Sequence, residues 1–243
     1  MAGKVTAARG GTVIIVPARL GSTRLPRKPL ADICGTPMIV RVMSGLAGAR
    51  ADVTAVATDS AEIASVVRGA GFDAVLTGEA ASGTERVYAA WSGLGKPGSR
   101  VVNVQGDEPG VTPAWISALV AVPPAPDRVV TLARPASAGE VTDTAAVKVL
   151  TGPSGEAEGF LRLLPDGYGG RLLVHVGVYC FSPESLEACI AAGTTAESRS
   201  QGLEQLAWLQ NGIRIVVVEG DFRGLGVDTP GDLERAREAC RRG

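Results

Sequence analysis

Four cations, Arg19, Arg24, Arg27 and Lys28, stand within ten residues with no acid among them. Upstream, residues 12–16 are a short apolar, β-branched run that Pro17 and Gly21 bring to an end, so a buried strand gives way to a loop. A concentrated positive field at a strand's carboxyl end lies where open α/β sheets bind ligands, and a polyphosphate is the guest whose charge fits it. Gly21, Ser22 and Thr23 add a small turn whose backbone N–H groups and hydroxyls can wrap phosphate oxygens. The charges alone also fit a solvated basic loop. Gln105-Gly106-Asp107-Glu108-Pro109 closes another strand, and Asp107 is a candidate Mg²⁺ ligand because hard divalent ions beside phosphates take one or two carboxylates and keep waters. As cap and turn residues, Asp107 and Glu108 would need no chemical role. Asp228, ahead of Thr229 and Pro230, reads by itself as a helix cap. His175 is the sole histidine; it shares a strand face with Tyr179, four residues on, and a satisfied core histidine is the plain reading.

The elements that must position these groups alternate. Strands are expected at 12–16, 53–57, 73–76, 100–104, 129–133, 147–150, 172–181 and 213–218. Helices are expected at 37–49, 61–68 with Asp59 or Ser60 as cap, 82–91, 203–210 ending at Asn211-Gly212, and after Pro230. Residues 151–170, rich in Gly, Pro and acids, read as loops. Strands alternating with helices over short connections argue for a parallel, doubly wound α/β sheet, which would deliver Asp107 and the basic loop to one edge. Gly93, Gly95 and Gly98 match G-x-G-x-x-G but follow a helix and precede a strand, the reverse of the dinucleotide-binding context, and no P-loop motif occurs.

The chain has 243 residues, 45% hydrophobic and 20% charged, enough for one sizeable core with a smaller subdomain. Lys plus Arg number 24 against 25 for Asp plus Glu, which gives no case for a nucleic-acid or anionic-membrane partner and makes the basic loop a local feature. No apolar run approaches the roughly 20 residues of a membrane span. Residues 1–11 lack the apolar centre of a signal peptide, so a cytoplasmic location is expected. Cys34, Cys180, Cys189 and Cys240 are scattered without C-x-x-C spacing, suggesting neither a zinc site nor a disulfide framework; they read as structural or incidental.

Pro17-Ala18-Arg19, Ser22, Arg24-Leu25-Pro26 and Lys28-Pro29-Leu30 together resemble the PAR-x-x-S-x-R-L-P-x-K-P-L signature of the CMP-KDO synthetases (3-deoxy-manno-octulosonate cytidylyltransferases). The segments around Ser82 to Arg86, V-x-V-Q-G-D-E-P at Gln105, H-x-G-x-Y at His175 and G-V-D-T-P-x-D-L at Asp228 are similar to further signatures of that family. The resemblance implies a nucleotide-diphospho-sugar-transferase-like, three-layer α/β fold with a mostly parallel sheet and a smaller acceptor and dimerisation subdomain. It would be a single nucleotidyltransferase domain over 1–243, with 12–122 and 213–243 on the nucleotide and metal side and 123–212 on the acceptor side. It implies transfer of CMP from CTP to a small acidic acceptor such as KDO, with Mg²⁺ as cofactor and a homodimer as the assembly. Nucleotide contacts would come from Pro17, Ala18, Arg19, Leu20, Gly21, Ser22, Arg24, Lys28, Ser82, Gly83, Arg86 and Gln105. Arg19, Arg24, Lys28 and Asp107 would be catalytic, with Asp107 and Asp228 as metal ligands. Gln105, Arg162, His175, Tyr179, Glu204 and Gln205 would face the acceptor. The family's F-S-R-x-x-I-P element is reduced to Phe160-Leu161-Arg162 followed by Leu163-Leu164-Pro165, and its acid-rich helix start to Leu203-Glu204-Gln205-Leu206. Those departures fall on the acceptor side and leave open a smaller acid such as phosphonoformate, a sialic-acid-type acceptor, or a non-catalytic nucleotide sensor.

Overall fold

The computed structural model describes residues 10–22, 24–165 and 168–242. Thr23 of the expected phosphate-wrapping turn, residues 1–9 of the stretch read for a signal, and residues 166–167 lie outside them. The chain forms two compact units, residues 1–117 with 223–243, and residues 118–222.

In the first unit, β1 (Thr12–Ala18) is buried along its whole length because β4 (Val53–Thr58) and β6 (Arg100–Val104) flank it on either side. A short hairpin of β2 (Asp32–Ile33) and β3 (Thr36–Pro37) comes between β1 and α1 (Met38–Gly45). Then follow β4, α2 (Ala61–Gly69), β5 (Asp73–Leu76), α3 (Gly83–Gly93) and β6. The strand order is β6-β1-β4-β5, all parallel. The chain therefore builds outward from β1 through β4 to β5 and then returns to the far side of β1, so the reversal falls between β1 and β6. Crevices at such switch points, outside the strands' carboxyl ends, are where open sheets take ligands. Pairing of β6 with β1 ends at Ile15 and Asn103, leaving Pro17 without a ladder partner on that side.

The expected helix at 37–49 is shorter than its pattern. Pro37 has ψ 140°, an extended conformation, and ends the hairpin; α1 stops at Gly45, with Gly48 in the left-handed region. Ser60 caps α2, its hydroxyl accepting from Ile63 N, and Ser82 caps α3 through Glu85 N. α4 (Pro113–Ala121) carries the chain toward the second unit, and α8 (Pro230–Arg242) returns to the first. Pro230 opens α8, while Thr229 and Asp232 bond reciprocally across its first turn: Asp232 N donates to Thr229 Oγ1, and Thr229 N donates to Asp232 Oδ2.

In the second unit, β7 (Arg128–Pro135) pairs antiparallel with β10 (Leu173–Phe181) and parallel with β11 (Arg214–Glu219). β11 hydrogen-bonds to β7 and so belongs to this unit. β8 (Lys148–Thr151) pairs with β10 and with β9 (Ala157–Leu161). β9 corrects the loop expected over 151–170. Its two buried residues, Ala157 and Phe160, are three apart, because the β8–β9 register shifts at Leu150 and Thr151; the broken alternation hides the strand in the sequence. α5 (Pro183–Ala192), α6 (Ala196–Gln201) and α7 (Glu204–Gln210) complete the unit, the first two opened by capping boxes at Ser182 and Thr195.

Candidate active site

The basic loop is clamped by the residues between its charges. Leu25 is buried in a cluster with Ile33, Met38, Val227, Leu233 and Ala236, Pro29 is buried one position after Lys28, and Leu25 N donates to Ser22 Oγ at 3.3 Å. Apolar anchors thus alternate with cations, and burial of the anchors fixes where Arg24 and Lys28 stand. Arg27 takes a left-handed conformation, φ 56°, and pairs instead with Glu62 of α2.

The loop forms one wall of a cavity of about 320 Å³ at the β1–β6 switch point. Pro17, Ala18, Arg19, Gly21, Ser22, Arg24, Lys28, Ser82, Gly83, Arg86, Gln105, Asp107 and Asp228 all line it, joined by Pro29, Ala80 and Gly106. Leu20 is not in the lining. Gly106 was missed from sequence, although a glycine between two functional residues at a strand end is a signal: a Cβ there would lie 2.7 Å from Pro17 O, so only glycine lets the ends of β1 and β6 approach. Gly83 lies against Gln105, whose Oε1 would be 3.3 Å from a Cβ at that position. Ser82 and Gly83 bring the N-terminal end of α3 to the cavity, where unpaired backbone N–H groups favour anions.

Arg86 lines the cavity but spends its guanidinium inside the protein. Almost wholly buried, at 3% exposure, it donates to Asp59 Oδ2 at 2.6 Å, Thr77 Oγ1 at 2.7 Å and Gly78 O at 3.3 Å. It therefore shapes the segment after β5 that leads to Ala80, and Asp59, expected as a possible helix cap, is its anchor. Among the described residues Arg19 has no side-chain partner, which leaves its exposed guanidinium available to a ligand.

The two carboxylates converge on one cation. Lys28 Nζ lies 2.6 Å from Asp107 Oδ2 and 2.9 Å from Asp228 Oδ1, and Arg24 reaches Asp228 Oδ1 at 3.1 Å. Burial works to lower the Lys28 pKa, but the charges and hydrogen bonds of Asp107 and Asp228 outweigh it and hold the ammonium above its ordinary range. Asp228 is brought there by a glycine-bearing loop: Cβ atoms on Gly224 and Gly226 would meet the buried Glu108 carboxylate at 3.2 and 3.4 Å, and Val227 N donates to Asp107 O at 3.0 Å. Thr229 and Asp232 supply the cap of α8, which frees the Asp228 carboxylate for the cavity. No group of three or more His, Cys, Asp or Glu side chains placed for a metal occurs among the described residues. Two convergent carboxylates would suit Mg²⁺, a hard cation that takes one or two carboxylates beside phosphates. With Arg86 neutralised by Asp59, the cations Arg19, Arg24 and Lys28 face the cavity against Asp107 and Asp228, a surplus of positive charge that favours an anion.

A sequence profile of the family described as Cytidylyltransferase matches residues 13–215. The 3-deoxy-manno-octulosonate cytidylyltransferase of Anaeromyxobacter dehalogenans (strain 2CP-C) is 45% identical over 230 residues, 92% of this chain and 95% of that protein. The protein of that name from Brucella ovis (strain ATCC 25840 / 63/290 / NCTC 10512) is 41% identical over 239 residues, 94% of this chain and 95% of its own. The chain belongs to the CMP-KDO synthetase family of cytidylyltransferases. A solved CMP:2-keto-3-deoxy-manno-octonic acid synthetase complexed with CTP superposes with a TM-score of 0.86 at 33% identity, covering 96% of this chain and 99% of that one. It shares the mixed α/β fold with a mostly parallel sheet. A glucose-1-phosphate thymidylyltransferase from Bacillus anthracis shares the fold alone, with a TM-score of 0.67 at 14% identity.

On the second unit of this cytidylyltransferase the structure brings His175, Tyr179 and Glu204 together. The His175 and Tyr179 rings stand 5.3 Å apart, and burial, aided by the Glu204 charge, pushes the Tyr179 phenol up. His175 is committed within its strand pair. The Thr131 hydroxyl donates to Val178 O at 2.7 Å, so it accepts from His175 Nε2–H at 2.9 Å. Burial lowers the imidazole to about 3, making it a neutral donor at neutral pH, and Phe160 packs edge-on against it. Arg162 donates to Gln201 O at 2.7 Å and Thr144 O at 3.1 Å, tying α6 to the chain before β8. Gln205 is buried on α7. Among the described residues no helix is long and apolar enough to cross a membrane.

Proposed function

We propose that this cytidylyltransferase uses CTP and Mg²⁺ to form the CMP ester of 3-deoxy-manno-octulosonate, releasing pyrophosphate. The observation that carries this reading is the cationic cavity at the switch point with Asp107 and Asp228 converging on one cation position. An acceptor hydroxyl oxygen forms a bond to the α-phosphorus as the bridging P–O bond to the β-phosphate breaks; the electron pair leaves with pyrophosphate and the hydroxyl proton is released.

Such chemistry asks the protein for positioning and charge stabilisation. Arg19 and Arg24 would hold the triphosphate, and Lys28 would exchange its carboxylates for phosphate oxygens as the nucleotide seats. Asp107 and Asp228 would hold Mg²⁺, which, when bound, neutralises charge on the attacked and departing oxygens. Gln105 and the α3 N-terminus would orient the nucleotide. Arg162, with part of its planar fork beyond the two backbone carbonyls, and Gln205 are the proposed contacts for the acceptor's carboxylate side.

A pyrophosphate-release screen with CTP, Mg²⁺ and KDO, 8-amino-KDO, sialic acid or small phosphonates tests the acceptor. Rapid turnover is expected with KDO and its amino analogue. Turnover confined to a small phosphonate would replace KDO as acceptor, and no turnover with any acid would favour a nucleotide sensor.

A further inference from the structure

Two of the four thiols, Cys34 and Cys240, meet across the first unit. Ile33 pairs with Thr36, and the intervening Cys34 and Gly35 have φ of 51° and 80°, a type I′ hairpin turn. Asn, Asp or Gly suits the first position of that turn; a cysteine there is held against its backbone preference. The turn is docked on α8. Cys34 Sγ donates to Arg237 O at 3.6 Å, Arg237 Nε donates to Asp32 O at 3.0 Å, and Ile33 shares an apolar cluster with Leu233 and Ala236 against which Cys240 packs. Arg237 and Cys240 are three residues apart on α8 and so share a face. The two thiols lie within hydrogen-bonding reach of each other, Cys34 exposed and Cys240 half-buried. That hydrogen bond holds the Cys34 thiol above its usual range, while Arg41 and Arg241 pull the other way and would steady a thiolate once formed.

We propose that Cys34 and Cys240 form a reversible internal disulfide by exchange with a small-molecule disulfide. The Cys34 thiolate attacks one sulfur of the reagent, expelling the first small thiolate and leaving a mixed disulfide. The Cys240 thiolate then attacks Cys34 Sγ and expels the second. The protein thiols lose two electrons and two protons, and the reagent gains both as two thiols. The bond fastens α8, whose first turn follows Asp228 directly, to the hairpin that follows Lys28. The raised Cys34 thiol makes the reaction faster in mildly alkaline solution than at neutrality.

The test is incubation of the full chain with oxidised glutathione at about pH 8.5, followed by alkylation, intact mass measurement and peptide mapping. Expected are the loss of two hydrogens, a cross-linked peptide joining Cys34 to Cys240, reversal by dithiothreitol, and no internal bond in C34S or C240S. Buried Cys180 and Cys189 should stay unmodified. The oxidised wild-type chain should also unfold several degrees higher than the reduced chain. A stable glutathione adduct on Cys34 that Cys240 never displaces would overturn the proposal. So would a different pairing, or inert thiols in the folded chain under conditions that oxidise the urea-unfolded one.

Discussion

Lys28 decides how the cavity's charges are read. In the sequence it is one of four cations in a loop; in the structure it is the cation on which Asp107 and Asp228 both close, at 2.6 and 2.9 Å. The signature residues supplied most of the lining, because a motif that alternates apolar anchors with cations encodes both the loop's fixation and its charge. The partners were not legible. That Arg86 is satisfied by Asp59, or Arg27 by Glu62, depends on pairings across 27 and 35 residues that no local pattern announces. Asp107→Asn and Asp228→Asn should each lower kcat/KM by about 10² or more, since the lost charge stabilisation is worth several kcal/mol. Each variant leaves Lys28 one carboxylate, so its unfolding midpoint should stay close to wild type. Initial-rate kinetics beside thermal unfolding would separate the two effects, and near-normal turnover in either variant would remove that residue from the metal site.

At the scale of elements, strands bounded by clear breakers were readable whether or not they are buried. β5 and β6 fall at the expected residues because each is a short run with clear breakers. β9 was hidden by its register shift, and α1 was overextended because its apolar pattern runs past Gly45 into a turn. The short 3-10 turn Ala138–Glu140 after β7 is held by a capping box at Ser137 and by Arg134, which grips the Glu140 carboxylate. The hydrogen bond from Arg134 leads in lowering the Glu140 pKa from 4.5 to about 2. A depressed carboxyl pKa stabilises the fold above the unfolded value and loses that stability as pH falls through the folded one. Glu140→Gln should therefore cost on the order of 2 kcal/mol at pH 7. Its deficit against wild type should shrink between pH 4.5 and about 2. Urea unfolding across that range checks it, and a deficit independent of pH would mean that the pairing contributes nothing.

At the scale of the whole molecule, the chain order conceals the grouping of its parts. The unit that carries the cavity is assembled from residues 1–117 and 223–243, so Asp107 and Asp228 sit together only because the chain leaves, builds β7 to β11, and returns. β11 comes just before the returning segment in the chain, yet its backbone bonds to β7 put it in the other unit. The choice of nucleotide is expected from the cytidylyltransferase family to which the chain belongs. A pocket with buried polar groups discriminates against a base that leaves them unpaired, so CTP should be selected over the other nucleoside triphosphates. Pyrophosphate release measured with KDO and Mg²⁺ against CTP, UTP, ATP and GTP in turn is the most direct test of a cytidylyl-transferring site. CTP should exceed each of the others in kcat/KM by at least about tenfold, a difference of 1.4 kcal/mol in transition-state binding; comparable release from UTP or ATP would contradict it.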